Sequence, residues 1–339
     1  METVSISYET LRALKDSSLN GPAGIQTVEA ALTQLYKAMM TIDPKMRQHG
    51  RPSSAMGRLQ PENPADTIGN EVSTMRAVQE KKDGYRSESV FFVQRFKQFI
   101  TVKLREVEVQ IADASQKYRN LPQSNGKLDL YKRDQPRSGL WMYSPLILFA
   151  REIDPMEWES LLRIYESTVK KAYQEEYREN ISAWKKVARK PTGDEQDVLF
   201  TTQEKESDSL VGRKLTVKRS RTLREGPRTA SGDKTQEGKI PGYEAFAGAL
   251  EDMSQSIFLE QNFMTDMFHV TSSETTEFPD LVASVPPEAR RSGNLSQKRA
   301  FDPDRNMAKK MKSLMDDIYS FWPQEVQLMV DWVVSQDSL

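Results

Sequence analysis

The chain has 339 residues, 37% of them apolar and 29% charged, with 48 basic residues against 49 acidic ones and no cysteine. A nearly balanced charge excludes a surface wholly given over to nucleic acid or anionic lipid, and the missing cysteines exclude disulfides, thiolate nucleophiles and cysteine-ligated metals. The length calls for two or three helical units rather than one ordinary domain.

The start, METVSISYET, lacks the positive region and apolar run of a signal peptide. The longest apolar run, Leu146 to Ala150, falls far short of the roughly 20 residues that span a bilayer. A soluble cytosolic protein is expected, in which the sequons at Asn180 and Asn294 carry no weight.

From Pro22 to Ile42, Ile25, Val28, Leu32, Leu35, Tyr36 and Met39 recur at steps of three and four, and Asp43-Pro44 stops the pattern. Residues 1–50 therefore form a helical segment, and 51–70, with prolines, glycines and little periodicity, a loop. Phe92, Phe96, Ile100, Leu104, Val107 and Ile111 predict one long helix from about Glu71 to about Tyr118. Arg119 to Gly139 is polar, and Leu140 to Glu152 reads as a short apolar helix interrupted by Pro145. Asp154-Pro155 then supplies an N-cap and a first-turn proline for a helix running to about Lys190. Its stripe, Tyr165, Val169, Ala172 or Tyr173, Tyr177, Ile181, Trp184 and Ala188, requires a partner helix.

Residues 191–239 lose helical periodicity and hold one aromatic, Phe200, which predicts a disordered basic insert. Beyond it Phe246, Leu250, Met253, Ile257, Met264 and Phe268 predict a helix face. Asp302-Pro303 reads as a cap for a helix with Met307, Met311, Leu314, Met315 and Ile318. Pro323 opens a last helix with Val326, Leu328, Met329, Trp332 and Val333. No segment alternates like a strand, so the expected fold class is all-α. Residues 71–190 would form a first bundle and 240–339 a second, truncated one.

Catalytic parts are scarce. His49 reads as a surface residue, and His269, three residues after Asp266, as a packed histidine near a helix end rather than a metal ligand. No GxxxxGK, GxGxxG or GxSxG spacing occurs, and carboxylates such as Glu175 and Glu176 sit among Lys170, Lys171 and Arg178 as solvated pairs. The expectation is no enzyme, no cofactor and no metal. One feature stands apart: Arg213, Lys214, Lys218, Arg219, Arg221, Arg224 and Arg228 face a single acid, Glu225, over residues 212–228. Such a segment attracts anionic lipid at about 1 kcal/mol per basic residue near the surface, and phosphorylation of Ser220 or Thr222 would weaken the attraction. The plain alternative is a solvated linker.

Several runs resemble exocyst complex component one, the subunit of yeast secretory-three type. They are LYKAMMTIDPKMR, FFVQRFKQFI, LFAREIDPMEWESLLRIYESTVKKAYQEEYRENISAWKKVARKP, EQNFMTDMFH, PPEARR and DPDRNMAKKMKSLMDDIYSFWPQEVQLMVDWV. The loops from Arg51, Arg119 and Thr192 match nothing in that family, as with lineage-specific insertions of fungal members. The resemblance implies an elongated rod of stacked antiparallel helical bundles, a non-enzymatic role in tethering secretory vesicles to the plasma membrane, and other exocyst subunits as partners. It also implies a cytoplasmic chain recruited peripherally to sites of polarised secretion. The family's N-terminal lipid- and GTPase-binding module and its coiled coil have no counterpart here, so the chain is expected to be an internal or C-terminal rod fragment. A second reading is a helical adaptor that binds anionic lipid or nucleic acid through 212–228.

Overall fold

A computed structural model of the chain describes residues 6–42, 76–119, 128–189, 240–272, 276–300 and 302–337. The expected loop 51–70 and the basic insert 191–239 lie outside them. α1 (Tyr8–Asp16) is capped by Ser7, whose hydroxyl accepts the Thr10 N–H. Gly21, at φ 85°, turns the chain into α2 (Pro22–Ile42). Gly24 allows the loop to lie on this helix, since a Cβ there would stand 1.9 Å from the Ser18 carbonyl oxygen.

α3 (Arg76–Arg119) runs 44 residues, about 66 Å at 1.5 Å per residue. Phe92, Phe96, Ile100, Leu104, Val107 and Ile111 are all buried along it, as their spacing predicts. The next segment departs from the expected proline-broken helix. A single turn, α4 (Asp134–Arg137), leads into a 3-10 stretch, Ser138–Tyr143, and only then into α5 (Ser144–Ile153). Pro145 falls in the first turn of α5, where no intrahelical N–H bond is due, so it starts the helix instead of interrupting it.

α6 (Pro155–Val187) begins as the sequence predicts: the Asp154 side chain accepts the Glu157 N–H at 3.2 Å and Pro155 occupies the first turn. Its buried stripe is Trp158, Leu161, Leu162, Tyr165, Val169, Tyr173, Tyr177 and Ile181; Tyr173 rather than Ala172 points inward. β1 (Ala188–Arg189) and β2 (Ile240–Pro241) pair in parallel, Ala188 with Ile240 and Arg189 with Pro241, and so hold together the two ends of the stretch between them. Two residues per strand are too few to show alternation in a sequence.

α7 (Gly242–Phe268) returns antiparallel to α6: Trp158 Nε1 donates to the Phe268 carbonyl at one end, and Gly248 lies against Trp184 at the other. The inward face of α7 includes Ala245, Ala249, Met253, Ser256, Glu260, Phe263, Met264, Met267 and Phe268; of the expected stripe Met253, Met264 and Phe268 are buried, Phe246 and Ile257 are half-buried and Leu250 is exposed. α8 (Phe278–Ser284), a 3-10 turn at Pro287–Ala289, α9 (Arg305–Ile318) and α10 (Trp322–Asp337) complete the described chain. The cap of α9 is Asp304, which accepts the Asn306 N–H at 2.7 Å. Asp302, the residue expected there, instead accepts the Ser272 N–H at 2.7 Å and ties the end of α7 to the start of α9.

The molecule is an all-α helical bundle. α3 and α7 pack on α6, α2 on α3, α5 and α9 on α6, and α10 on α7. One cluster of buried apolar side chains extends from Leu14 to Phe321, drawing on helices before and after the insert. A second, small cluster of Ile181, Ala249 and Met329 lies where α6, α7 and α10 meet.

Candidate functional site

The chemically distinctive interior of this bundle is a chain of buried charges. Arg133, just ahead of α4, and Arg137, on it, project between α3, α6 and α7. Arg133 is 3.0 Å from a Glu108 oxygen on α3 and 3.0 Å from a Glu176 oxygen on α6. Arg137 donates to Glu260 on α7 at 2.9 Å and to the Tyr165 hydroxyl at 2.7 Å. Tyr165 and Tyr173 both donate to Glu260, which is 1% exposed. Aromatic faces complete the cradle: Arg133 stacks 4.0 Å over Tyr173, and Arg137 4.1 Å over Phe263.

Burial alone would raise the Glu260 carboxyl. The Arg137 charge, the two tyrosine hydrogen bonds and the Arg133 charge outweigh it and hold the group below the ordinary carboxylate range. Burial, with the carboxylates close by, raises both tyrosines, which remain protonated donors. The adjoining cavity, lined by Arg133, Arg137, Tyr173, Glu176, Ser256 and Glu260, is about 20 Å³, room for one water and not for a substrate. The cluster's chemistry is to fix three helices and the α4 turn in one register.

Two further polar junctions act on other elements. Arg290, in the PPEARR run, makes a two-pronged ion pair with Glu29 of α2 at 2.7 and 3.0 Å and also donates to the Met142 carbonyl. His269 caps α7 in the left-handed conformation at φ 58°, with Nε2 2.9 Å from the Ser144 hydroxyl, and Arg151 donates to its carbonyl. The packed histidine expected from the sequence is thus a helix cap. No group of three or more His, Cys, Asp or Glu side chains placed to hold a metal occurs among the described residues.

The basic residues Arg213, Lys214, Lys218, Arg219, Arg221, Arg224 and Arg228, with Ser220 and Thr222, lie outside the described residues, as does His49. Sequence reasoning missed Arg133, Arg137, Glu260, Glu29 and Arg290, and Glu176, expected as a solvated partner of Lys170, Lys171 and Arg178, instead pairs with Lys132 and Arg133 in the interior. A signal for Glu260 does exist: the stripe Ala245, Ala249, Met253, Ser256, Glu260, Phe263, Met267 keeps steps of three and four, so a carboxylate in it is committed to the core.

Fold and interior together define a helical-bundle protein whose buried charges bridge helices. Residues 267–339, which span the end of α7 and all of α8, α9 and α10, match the family model of the exocyst complex component Sec3, C-terminal. No curated protein matches the chain, and no solved structure does. Among the described residues no helix is long and apolar enough to cross a membrane.

Proposed function

We propose that this chain is a scaffold segment of the exocyst, acting in the cytoplasm and at the plasma membrane to tether secretory vesicles, with other exocyst subunits as its partners. The observation that carries the reading is the match of residues 267–339 to the exocyst Sec3 C-terminal family. The interior agrees with it: Arg137, Glu260 and the Arg290–Glu29 pair stiffen a long bundle and leave no room for a substrate beside the charges. Function then resides in helix faces and length, not in catalysis.

The test is affinity purification of the tagged full chain from cells of its own source, with quantitative mass spectrometry. Other exocyst subunits should co-purify in comparable amounts. Their absence, for a chain shown by circular dichroism to be folded, would sink the proposal.

A second reading rests on the seven basic residues of 212–228 against one acid. In it, the segment contacts anionic lipid head groups or nucleic acid, and phosphorylation of Ser220 or Thr222 releases it. Binding to anionic vesicles and to nucleic acid should then fall steeply with salt and disappear on deletion of 212–228. Undiminished binding by the deletion variant would remove this reading.

A further inference from the structure

Between Arg290 and Asp302 the chain leaves helical structure and lies across α7 as a strap, residues 291–300. Both of its anchors are firm: Arg290 pairs with Glu29 at 2.7 and 3.0 Å, and Asp302 accepts the Ser272 N–H at 2.7 Å. Every strap residue is exposed except Leu295, which is half-buried. Among the described residues the strap's one hydrogen bond between main-chain groups is internal, from the Gln297 N–H to the Asn294 carbonyl at 3.4 Å.

Side chains hold it to α7, and they hold it as a peptide. Asn262 of α7, 4% exposed, donates through Nδ2 to the Leu295 carbonyl at 2.6 Å and to the Gln297 carbonyl at 2.9 Å. A side-chain amide has two N–H hydrogens, and committing both to main-chain carbonyls two residues apart recognises a backbone whatever side chains it carries. Selection among side chains falls to the flanking contacts. Leu295 joins Leu128, Leu130 and Leu259 in lining the cavity of about 20 Å³ beside Arg137 and Glu260. Lys298 lies 5.8 Å over the Phe258 ring, and Arg299 makes a two-pronged pair with Asp266, one arm at 2.8 Å. Gly293 passes close to the same carboxylate, where a Cβ would stand 3.3 Å from Oδ2. The groove thus reads a leucine followed at the third and fourth positions by basic residues.

The flanking contacts are individually weak, because the Arg299–Asp266 pair is partly solvated and Lys298 is exposed. A weakly held strap between firm anchors lifts as a loop without unwinding a helix. We propose that α7 carries a peptide-binding groove, filled in this structure by the chain's own strap, and that a partner protein's segment with the pattern Leu-x-x-basic-basic takes its place when the strap lifts. The strap is then an autoinhibitory contact. Asp266 favours a basic peptide and repels the phosphates of a lipid or nucleic-acid surface. A second copy offers only a strap tied down at both ends, so the occupant is a segment of another protein. The inference uses only contacts of α7, and failure to co-purify exocyst subunits leaves it standing.

The experiment follows the anisotropy of a fluorescein-labelled peptide, RSGNLSQKRA, the sequence of residues 291–300, titrated with the full chain and with its Leu295→Ser, Arg299→Ser double variant. The double variant frees the strap and leaves the groove intact. It should bind the peptide at least tenfold more tightly than the parent, whose strap competes at high effective concentration. Adding Asp266→Lys should reverse the preference toward a peptide with two glutamates in place of its Lys-Arg pair. Adding Asn262→Ala should weaken binding of both peptides at least fivefold, since the backbone contact is common to them. If the double variant fails to fold, Arg299→Ser alone replaces it, with a gain of at least threefold expected. Equal binding by the parent and a folded freed-strap variant, or no binding by either, overturns the proposal. A preference that Asp266→Lys leaves unchanged also overturns it, because the peptide would then sit elsewhere.

Discussion

Glu152, on α5, has a buried oxygen, and burial lifts its carboxyl from 4.5 to about 7. A hydrogen bond from Tyr36 and the Arg151 charge oppose the rise, while Glu277 adds to it. The sign follows from which state loses the proton first. Below pH 4.5 both states hold it; between 4.5 and 7 the unfolded chain releases it while the folded chain keeps it, so folding is penalised increasingly as pH rises. At 1.36 kcal/mol per unit the penalty reaches about 3 kcal/mol. Glu152→Gln should therefore match the parent near pH 4.5 and exceed its stability by up to about 3 kcal/mol at pH 8. Urea melts across that range check it, and a gap that does not change with pH would refute it.

Trp184 shows a different residue-scale limit. Its stripe position marks it as a core anchor, yet it is only half-buried, resting on Gly248 and donating to Asp252 at 2.9 Å. Trp184→Ala should cost about 2 kcal/mol, below the roughly 3–5 of a fully enclosed tryptophan. Gly248→Ala should cost about 1–3 kcal/mol, because its methyl would enter the indole ring; thermal melts of both variants test the pair. The sequence marks the tryptophan by periodicity. It contains no sign of the glycine, whose role depends on a neighbour from another helix.

At the scale of elements, legibility follows locality. The stripe of α3 and the start of α6 are readable because spacing and the Asp154-Pro155 cap act within a few residues. Asp154→Ala should accordingly cost about 1 kcal/mol, measurable in the chemical melt. The inward face of α7 is read correctly at Met253, Met264 and Phe268 but not at Leu250, because Ser256 and Glu260 hold core slots. Glu260 is tolerated there through Arg137, 123 residues away, with Tyr165 and Tyr173 donating to the same carboxylate. The cap of α9 moves from Asp302 to Asp304 for a similar reason, since Asp302 is engaged by Ser272 across 30 residues. The β1–β2 pair is invisible in sequence but has a testable consequence. With Ala188 and Arg189 already beside Ile240 and Pro241, residues 192–238 contribute mostly closure entropy. Replacing them with about eight Gly and Ser residues, enough to span the strand pair, should leave helicity unchanged and raise stability by about 1 kcal/mol. A large loss of ellipticity would show that the stretch supports the helices.

At the scale of the whole molecule, the Arg137–Glu260 junction binds together what the sequence divides. Helices on both sides of the insert share one buried apolar cluster, and the arginine that satisfies Glu260 of α7 comes from α4, ahead of α6. With the interior shared, calorimetry should show one cooperative transition rather than separate melting of 71–190 and 240–339. The pair itself separates rigidity from stability. Removing either charge strands the other in a water-poor site, so Arg137→Met or Glu260→Gln alone should cost about 3–5 kcal/mol. Replacing both, Arg137→Met with Glu260→Leu, removes the buried charges together and should recover most of that loss. Tyr165 and Tyr173 would then lose their shared acceptor, so recovery should be incomplete by roughly 1–3 kcal/mol. Additive losses in the double variant would mean that the two groups stabilise the bundle independently and that the junction is not a coupled pair.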